Sequence, residues 1–261
     1  GSDRVTTEDR QEEASSAESG EGTTPTRRPS RARTTTGATT RGKTATKRAT
    51  AKSKTQEPKS DAAAPKPRAR RTRAAAKGGF TTVCAMPNTQ PTMDTRATLD
   101  YVIHKAQTEG AVRVLPIGCV TKGSAGQELA EMGELAEAGC IGFSDDGQPV
   151  ADPNIMRQAL TYSTALGLPI INHCETPELF RDGAMNEGWV SNRLGIQGAP
   201  NSAEETMVAR DISLAEMVGG RAHLAHVSTR GTLELVRRAK ESGIAVTCEV
   251  TPHHLTLTDE A

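Results

Sequence analysis

The sequence predicts an α/β architecture in which parallel strands alternate with crossover helices, wound as part of a (β/α)8 barrel. Six apolar, strand-like runs recur between residues 79 and 250, and helical patterns fill most of the gaps between them. Such alternation means parallel strands, because a parallel pair needs a long crossover, usually a helix. Polar residues capable of chemistry also stand at the C-terminal ends of different runs, and a barrel gathers those ends around one site. A doubly wound sheet is the competing architecture, but the sequence has neither G-x-G-x-x-G nor a P-loop, so its nucleotide-binding versions have no support. A full barrel needs eight strands, and six are legible here.

The first strand is expected at Gly79–Met86, ending at Asn88. A helix follows over Thr98–Ala106, where Leu99, Val102 and Ile103 share one face. The second strand is Val112–Val120, and Leu129–Ala138 repeats apolar residues at three- and four-residue steps. Cys140–Phe143 is the third strand, ending at Asp145 and Asp146. Asp152-Pro153 reads as an N-cap with Pro at the first helical position, opening a helix over Asn154–Leu166. Leu168–Ile171 is the fourth strand, ending at His173. Ser202-Ala-Glu-Glu205 has the form of a capping box before an apolar helix at Met207–Met217. Ala222–Val227 is the fifth strand and contains His226. A helix over Thr232–Lys240 is stopped by Gly243. Ile244–Val250 is the sixth strand, followed by His253 and His254.

Ahead of this lies a different texture. Residues 1–77 hold a single large aliphatic residue, Val5, and no aromatic. They carry 19 Lys/Arg against 9 Asp/Glu, while residues 78–261 carry 13 against 23, so the overall net charge of zero is two opposite charges cancelling. The chain therefore divides into a disordered, basic, low-complexity tail over residues 1–71 and a folded part over 72–261, because the tail cannot bury enough apolar surface to offset its ordering entropy. The tail offers nucleic acid only weak, sequence-independent phosphate contact, since no aromatic is present for base stacking. No apolar run approaches the length of a membrane span. Five widely spaced cysteines (84, 119, 140, 174 and 248) read as small buried residues in a reducing, cytoplasmic setting. The first Met is Met86, and the last residues follow closely on a strand, so both ends read as cut.

Two imidazoles and a carboxylate at neighbouring strand ends are suitable donors for Zn²⁺. His173 and Glu175 share one strand face, Asn172 and Cys174 the other, which disfavours a Cys174–His173 nucleophilic pair. His223 and His226 lie three residues apart, on opposite faces, so only one should point inward. Periodicity leaves open which of Asp145 and Asp146 does so.

Five segments in order, Thr72–Thr89, Gly142–Gly147 (Gly-Phe-Ser-Asp-Asp-Gly), Ile171–Glu175 (Ile-Asn-His-Cys-Glu), His223–Ser228 (His-Leu-Ala-His-Val-Ser) and Glu249–Leu255 (Glu-Val-Thr-Pro-His-His-Leu), resemble dihydroorotase, a branch of the amidohydrolase superfamily. The resemblance implies a metal-dependent TIM-type barrel, of which strands two to seven are present. It also implies reversible cyclisation of N-carbamoyl-L-aspartate to L-dihydroorotate in pyrimidine biosynthesis, with one or two zinc ions. By resemblance Asp146 is the strand-four metal ligand, and His173 and His226 are the strand-five and strand-six ligands. Asn88 binds the substrate carboxylate, and a neutral amide suits that task because it donates without competing for metal. His253 and His254 are expected to be structural supports.

The family's His-x-His with its following Arg, and its strand-eight Asp, have no counterpart here: no His precedes His104. No catalytic base is therefore expected in this sequence, and the chain alone is expected to be inactive. Hydantoinase or allantoinase is a sister reading, disfavoured because strand four offers Asp145 and Asp146 but no Lys to bridge two metals. A non-catalytic, dihydroorotase-like partner of a transcarbamoylase is a reading of another class, and a homo-oligomer is compatible with either.

Overall fold

Thr95 sets the first boundary after the opening strand: its hydroxyl accepts the N–H of Thr98 and starts a helix that buries Leu99 and Val102. The structure, a computed structural model, describes residues 67–260, within one compact unit, Asp61–Ala261. Residues 1–66 of the expected tail lie outside the described residues. From Pro67 onward the chain is helical, in α1 (Pro67–Lys77), so helix begins ahead of the boundary drawn at residue 72. Pro at the first helical position suits that start.

The elements that follow are β1 (Thr82–Ala85), α2 (Arg96–Glu109), β2 (Arg113–Pro116), α3 (Met132–Glu137), α4 (Pro153–Leu166), β3 (Ile170–Asn172) and α5 (Pro177–Phe180). Then come β4 (Met185–Asn186), α6 (Trp189–Leu194), β5 (Gly198–Ala199), α7 (Ser202–Val218), β6 (Ala222–Leu224), α8 (Arg230–Glu241), β7 (Val246–Cys248) and α9 (Pro252–Thr256). Asp152 caps α4 as expected, its carboxylate accepting the N–H groups of Asn154 and Ile155 at 2.7 and 3.0 Å.

Among the described residues the strands pair in parallel. Thr82 of β1 faces Arg113 of β2, Ile170 of β3 faces Ala222 of β6, and Ala222 faces Val246 of β7. The expected third strand contributes a single bridging residue, Phe143, paired with both Gly118 and Ile170. Backbone bonds extend that connection, Ile141 N–H to the Pro116 carbonyl and Ile171 N–H to the Phe143 carbonyl. The six expected strand segments thus lie side by side in chain order. Among the described residues the array is open, with β1 and β7 at its edges. The short β4–β5 pair, within the excursion between β3 and α7, has no counterpart in the sequence reading.

Burial follows the strand alternation. Ile170 packs outward with Phe143, Leu135, Met156 and Leu160 beneath α3 and α4. Leu224 and Val246 pack outward with Met207, Val208 and Val236 of α7 and α8. On the other face Ile117, Ile171 and Ala225 cluster with Met86 and Ile141. Cys119, Cys140 and Cys174 are buried, as expected of small apolar residues, but Cys84 is exposed on edge strand β1 and Cys248 is half-buried on edge strand β7.

Two local expectations are corrected. Leu129 is not helical: it bridges Thr121 in antiparallel fashion, and α3 starts only at Met132. The capping box at Ser202–Glu205 does not form. Asn201 is the N-cap and makes no side-chain cap bond, Ser202 is already helical, and the Glu205 carboxylate instead accepts the N–H of Gly231 at 3.1 Å. Among the described residues no helix is long and apolar enough to cross a membrane.

Candidate metal centre

Three side chains from three neighbouring segments converge at the C-terminal ends of the parallel array. Asp146 follows the Phe143 bridge, His173 follows β3, and His226 follows β6. One donor atom from each lies within 4.8 Å of the other two. His173 Nδ1 is 2.9 Å from His226 Nε2, and His226 Nε2 is 3.6 Å from Asp146 Oδ1. Tetrahedral bonds of 2.0–2.1 Å to zinc place neighbouring donors about 3.3 Å apart, so these separations fit the ion. One carboxylate and two imidazoles are also a donor set suited to zinc, and three protein ligands leave a position open for water or substrate.

The ambiguity at Asp145–Asp146 is resolved by partners from the preceding strand segment. Asp145 is 2% exposed and accepts the N–H groups of Val120 and Thr121 at 2.9 and 3.0 Å, with the Thr121 hydroxyl as a further donor. Burial raises its pKa, against those hydrogen bonds. It is a bracket between two loops, which leaves Asp146 to face the imidazoles. Asp146 is held below the ordinary carboxylate range by its bond to His226, against partial burial. His226 is raised above the ordinary imidazole value by the same bond, whereas burial lowers His173.

Asn88 is brought to the same place, its side-chain N–H donating to Asp146 Oδ2 at 3.2 Å. His223 does not join them: its Nδ1 is 2.8 Å from the hydroxyl of Thr247, its neighbour on β7, and His226 is the imidazole that meets His173 and Asp146. His253 and His254 are exposed on α9. His254 borders a hollow of about 330 Å³ that opens beside His173 and His226, with Glu175, Asn186 and Asn201 also on its wall. A separate hollow of about 510 Å³, by Arg221 and Lys240, lies at the opposite, N-terminal ends of β6 and β7. Sequence reasoning missed the charged residues of α7 that sit behind the site. The signal was present: Arg210 and Asp211 interrupt the apolar stripe formed by Met207, Val208, Ile212 and Ala215.

Comparison with known proteins agrees with this geometry. Residues 53–232 match the family described as Dihydro-orotase-like. A dihydroorotase from Pelotomaculum thermopropionicum is 56% identical over 190 residues, 73% of this chain and 44% of that protein. One from Geobacter sp. (strain M21) is 53% identical over 189 residues, 72% of this chain and 44% of that protein. The chain therefore spans less than half the length of these curated relatives. Among solved structures, L-hydantoinase from Arthrobacter aurescens superposes with a TM-score of 0.61 at 21% identity, over 72% of this chain and 43% of that one. A D-hydantoinase gives 0.58 at 24% identity, over 74% and 43%. These two likenesses establish the fold, an α/β amidohydrolase architecture. With more than half its length matched by the family description and relatives above 50% identity, the chain belongs to the dihydro-orotase-like family.

Proposed function

We propose that this chain is part of a zinc-dependent dihydroorotase, which interconverts N-carbamoyl-L-aspartate and L-dihydroorotate in pyrimidine biosynthesis. The observation that carries the reading is the convergence of Asp146, His173 and His226, in a chain whose matched part, 72–73% of its length, is more than half identical to dihydroorotases. The open array corresponds to strands two to seven of an eight-stranded barrel, preceded by a separable basic tail over residues 1–71. Zinc bound at the triad supplies Lewis acidity, polarising a carbonyl and activating water. His173 and His226 bind it through neutral ring nitrogens, and Asp146 contributes one negative charge. Asn88 holds the substrate carboxylate. The contact of its amide with Asp146 Oδ2 at 3.2 Å supports assigning it to the same site. No residue of this chain is assigned as general base.

The test is an assay with both substrates at several pH values, with and without zinc. It is run on the chain and on a chimera supplying the remaining sequence of the Pelotomaculum thermopropionicum relative. Zinc-dependent turnover is expected from the chimera and not from the chain alone, and His173→Ala in the chimera should abolish it. Turnover of a hydantoin without turnover of dihydroorotate would move the assignment to the sister reading.

A further inference from the structure

Four charged side chains of α7 face the backs of the segments that carry the three donor residues. At one end, Glu204 Oε2 accepts the Ser228 N–H at 2.9 Å and the Ser228 hydroxyl at 2.6 Å. Glu204 Oε1 accepts the Thr229 N–H at 3.1 Å and the Thr229 hydroxyl at 3.0 Å. Glu205 takes the Gly231 N–H from the same loop. One carboxylate thus receives four donors from two consecutive residues. Ser228 is two residues beyond His226, whose backbone has φ +37°, in the left-handed region that side-chain-bearing residues rarely adopt. Such a conformation persists only where the surroundings enforce it. Backbone bonds from Ala225 N–H to the Asn172 carbonyl at 3.1 Å and from Val227 N–H to the Glu249 carbonyl at 2.9 Å flank this turn, the Glu204 grip holds the chain as it leaves, and His226 so turned reaches His173 and Asp146.

Two turns along the helix, Asp211 is 1% exposed. Its Oδ1 accepts from Arg210 Nε and Nη2 at 2.9 and 2.7 Å, and its Oδ2 accepts from Asn172 Nδ2 at 2.6 Å. Arg210 reaches on to the carbonyls of Ala151 and Val150 at 2.6 and 2.8 Å. Asn172 Oδ1 accepts the Val150 N–H at 3.1 Å. Asn172 precedes His173, and Val150 lies four residues after Asp146. The buried pair therefore ties the loop of Asp146 to the strand of His173 through one closed hydrogen-bonded network. Burying a carboxylate is costly unless its partners are good, and every oxygen here is used.

We propose that α7 is the positioning element of the site: Glu204 sets the backbone turn that presents His226, and the Arg210–Asp211–Asn172 network fixes Asp146 relative to His173. The proposal rests on the metal-site reading only for what the positioned side chains bind. Asp211 is buried, and Glu204, which borders the hollow beside His173 and His226, has both its oxygens committed to Ser228 and Thr229. They act through the segments they hold, as outer partners of metal ligands do, whose loss typically costs about ten- to hundredfold in metal affinity.

The test uses the full chain with Glu204→Gln and Asp211→Asn, near-isosteric changes that remove charge, and Glu216→Gln on the exposed side of α7 as control. Zinc affinity is measured against a competing chelator, Tm by circular dichroism, and the imidazole ¹H–¹⁵N resonances of His226 and His173 in metal-free chain at fixed pH. Glu204→Gln should weaken zinc about tenfold or more and shift the His226 resonances, with the control unchanged. Asp211→Asn should do the same through His173, and if it fails to fold the outcome rests on Glu204→Gln. Folded variants that bind zinc within twofold of wild type and leave the imidazole resonances in place would overturn the proposal. If wild type binds no zinc yet Glu204→Gln still moves His226, the metal reading falls and the positioning role stands.

Discussion

His173 Nδ1 and His226 Nε2 lie 2.9 Å apart although 53 residues separate them in sequence. Their rings meet edge to face with centroids 4.7 Å apart. The contact is made because β3 and β6, which precede them, are adjacent parallel strands with Ile171 opposite His223. A bare pair of imidazoles so close is poised to share a cation.

Zinc should bind the chain at the triad with one equivalent by isothermal titration calorimetry. His173→Ala and His226→Ala should each weaken it at least a hundredfold, and Asp146→Asn less, because Asn keeps an oxygen donor but removes the charge. Unchanged zinc binding in His173→Ala would place the ion elsewhere.

Zinc affinity should rise with pH through the raised pKa of His226, because the metal takes only the deprotonated imidazole. Zinc addition near pH 6.5 should therefore release protons. In metal-free chain the two partners act in opposite senses. Asp146, depressed by its bond to His226, contributes stability present above its ordinary value of 3.8 and lost as pH falls through its folded pKa. His226, raised by Asp146, contributes stability present below 6.5 and lost as pH rises through its folded pKa. Denaturant titration of metal-free chain should show this window, and His226→Gln should flatten it.

Glu204 predicts a separate acid transition. Burial opposes its charge, but hydrogen bonds from Ser228, Thr232 and Thr229 win and hold its pKa below 4.5. Its contribution is complete above 4.5 and is lost as pH falls through the folded value. Hydrogen exchange should show the loop at residues 227–231 opening at low pH in wild type, and already open near neutrality in Glu204→Gln.

Phe143→Ala should destabilise the chain by about 3–5 kcal/mol in denaturant unfolding, the usual cost of removing a buried ring. Phe143 is 0% exposed and bridges Gly118 on one side and Ile170 on the other, so the cavity falls where two halves of the array meet.

Alkylation of native chain should label Cys84 first and Cys248 more slowly, leaving Cys119, Cys140 and Cys174 unmodified until denaturant is added. Burial pushes the Cys119 thiol up to about 12 and that of Cys174 well above its ordinary value, so neither offers a thiolate near neutral pH. Peptide mass spectrometry gives the order.

The sequence by itself determined the class of fold and the strand ends at which the candidate donors stand. The apolar runs locate the parallel strands, Asp152-Pro153 marks the start of α4, and the Asp145–Asp146 pair, His173 and His226 each follow a different apolar run, at the ends that a barrel gathers together. These signals are local: a period, a cap and a strand terminus are each written within a few residues. What only the tertiary structure decided was the choice of partner among similar groups. Asp145 and Asp146 are neighbours in sequence, and Asp145 became the bracket because folding brings the N–H groups of Val120 and Thr121, about 25 residues upstream, to its carboxylate. Glu205 left the capping role that its spacing from Ser202 suggested, because the loop after β6 offers it the N–H of Gly231. A carboxylate goes to whichever donors folding brings within about 3 Å, and those donors come from segments that no local pattern in the sequence connects.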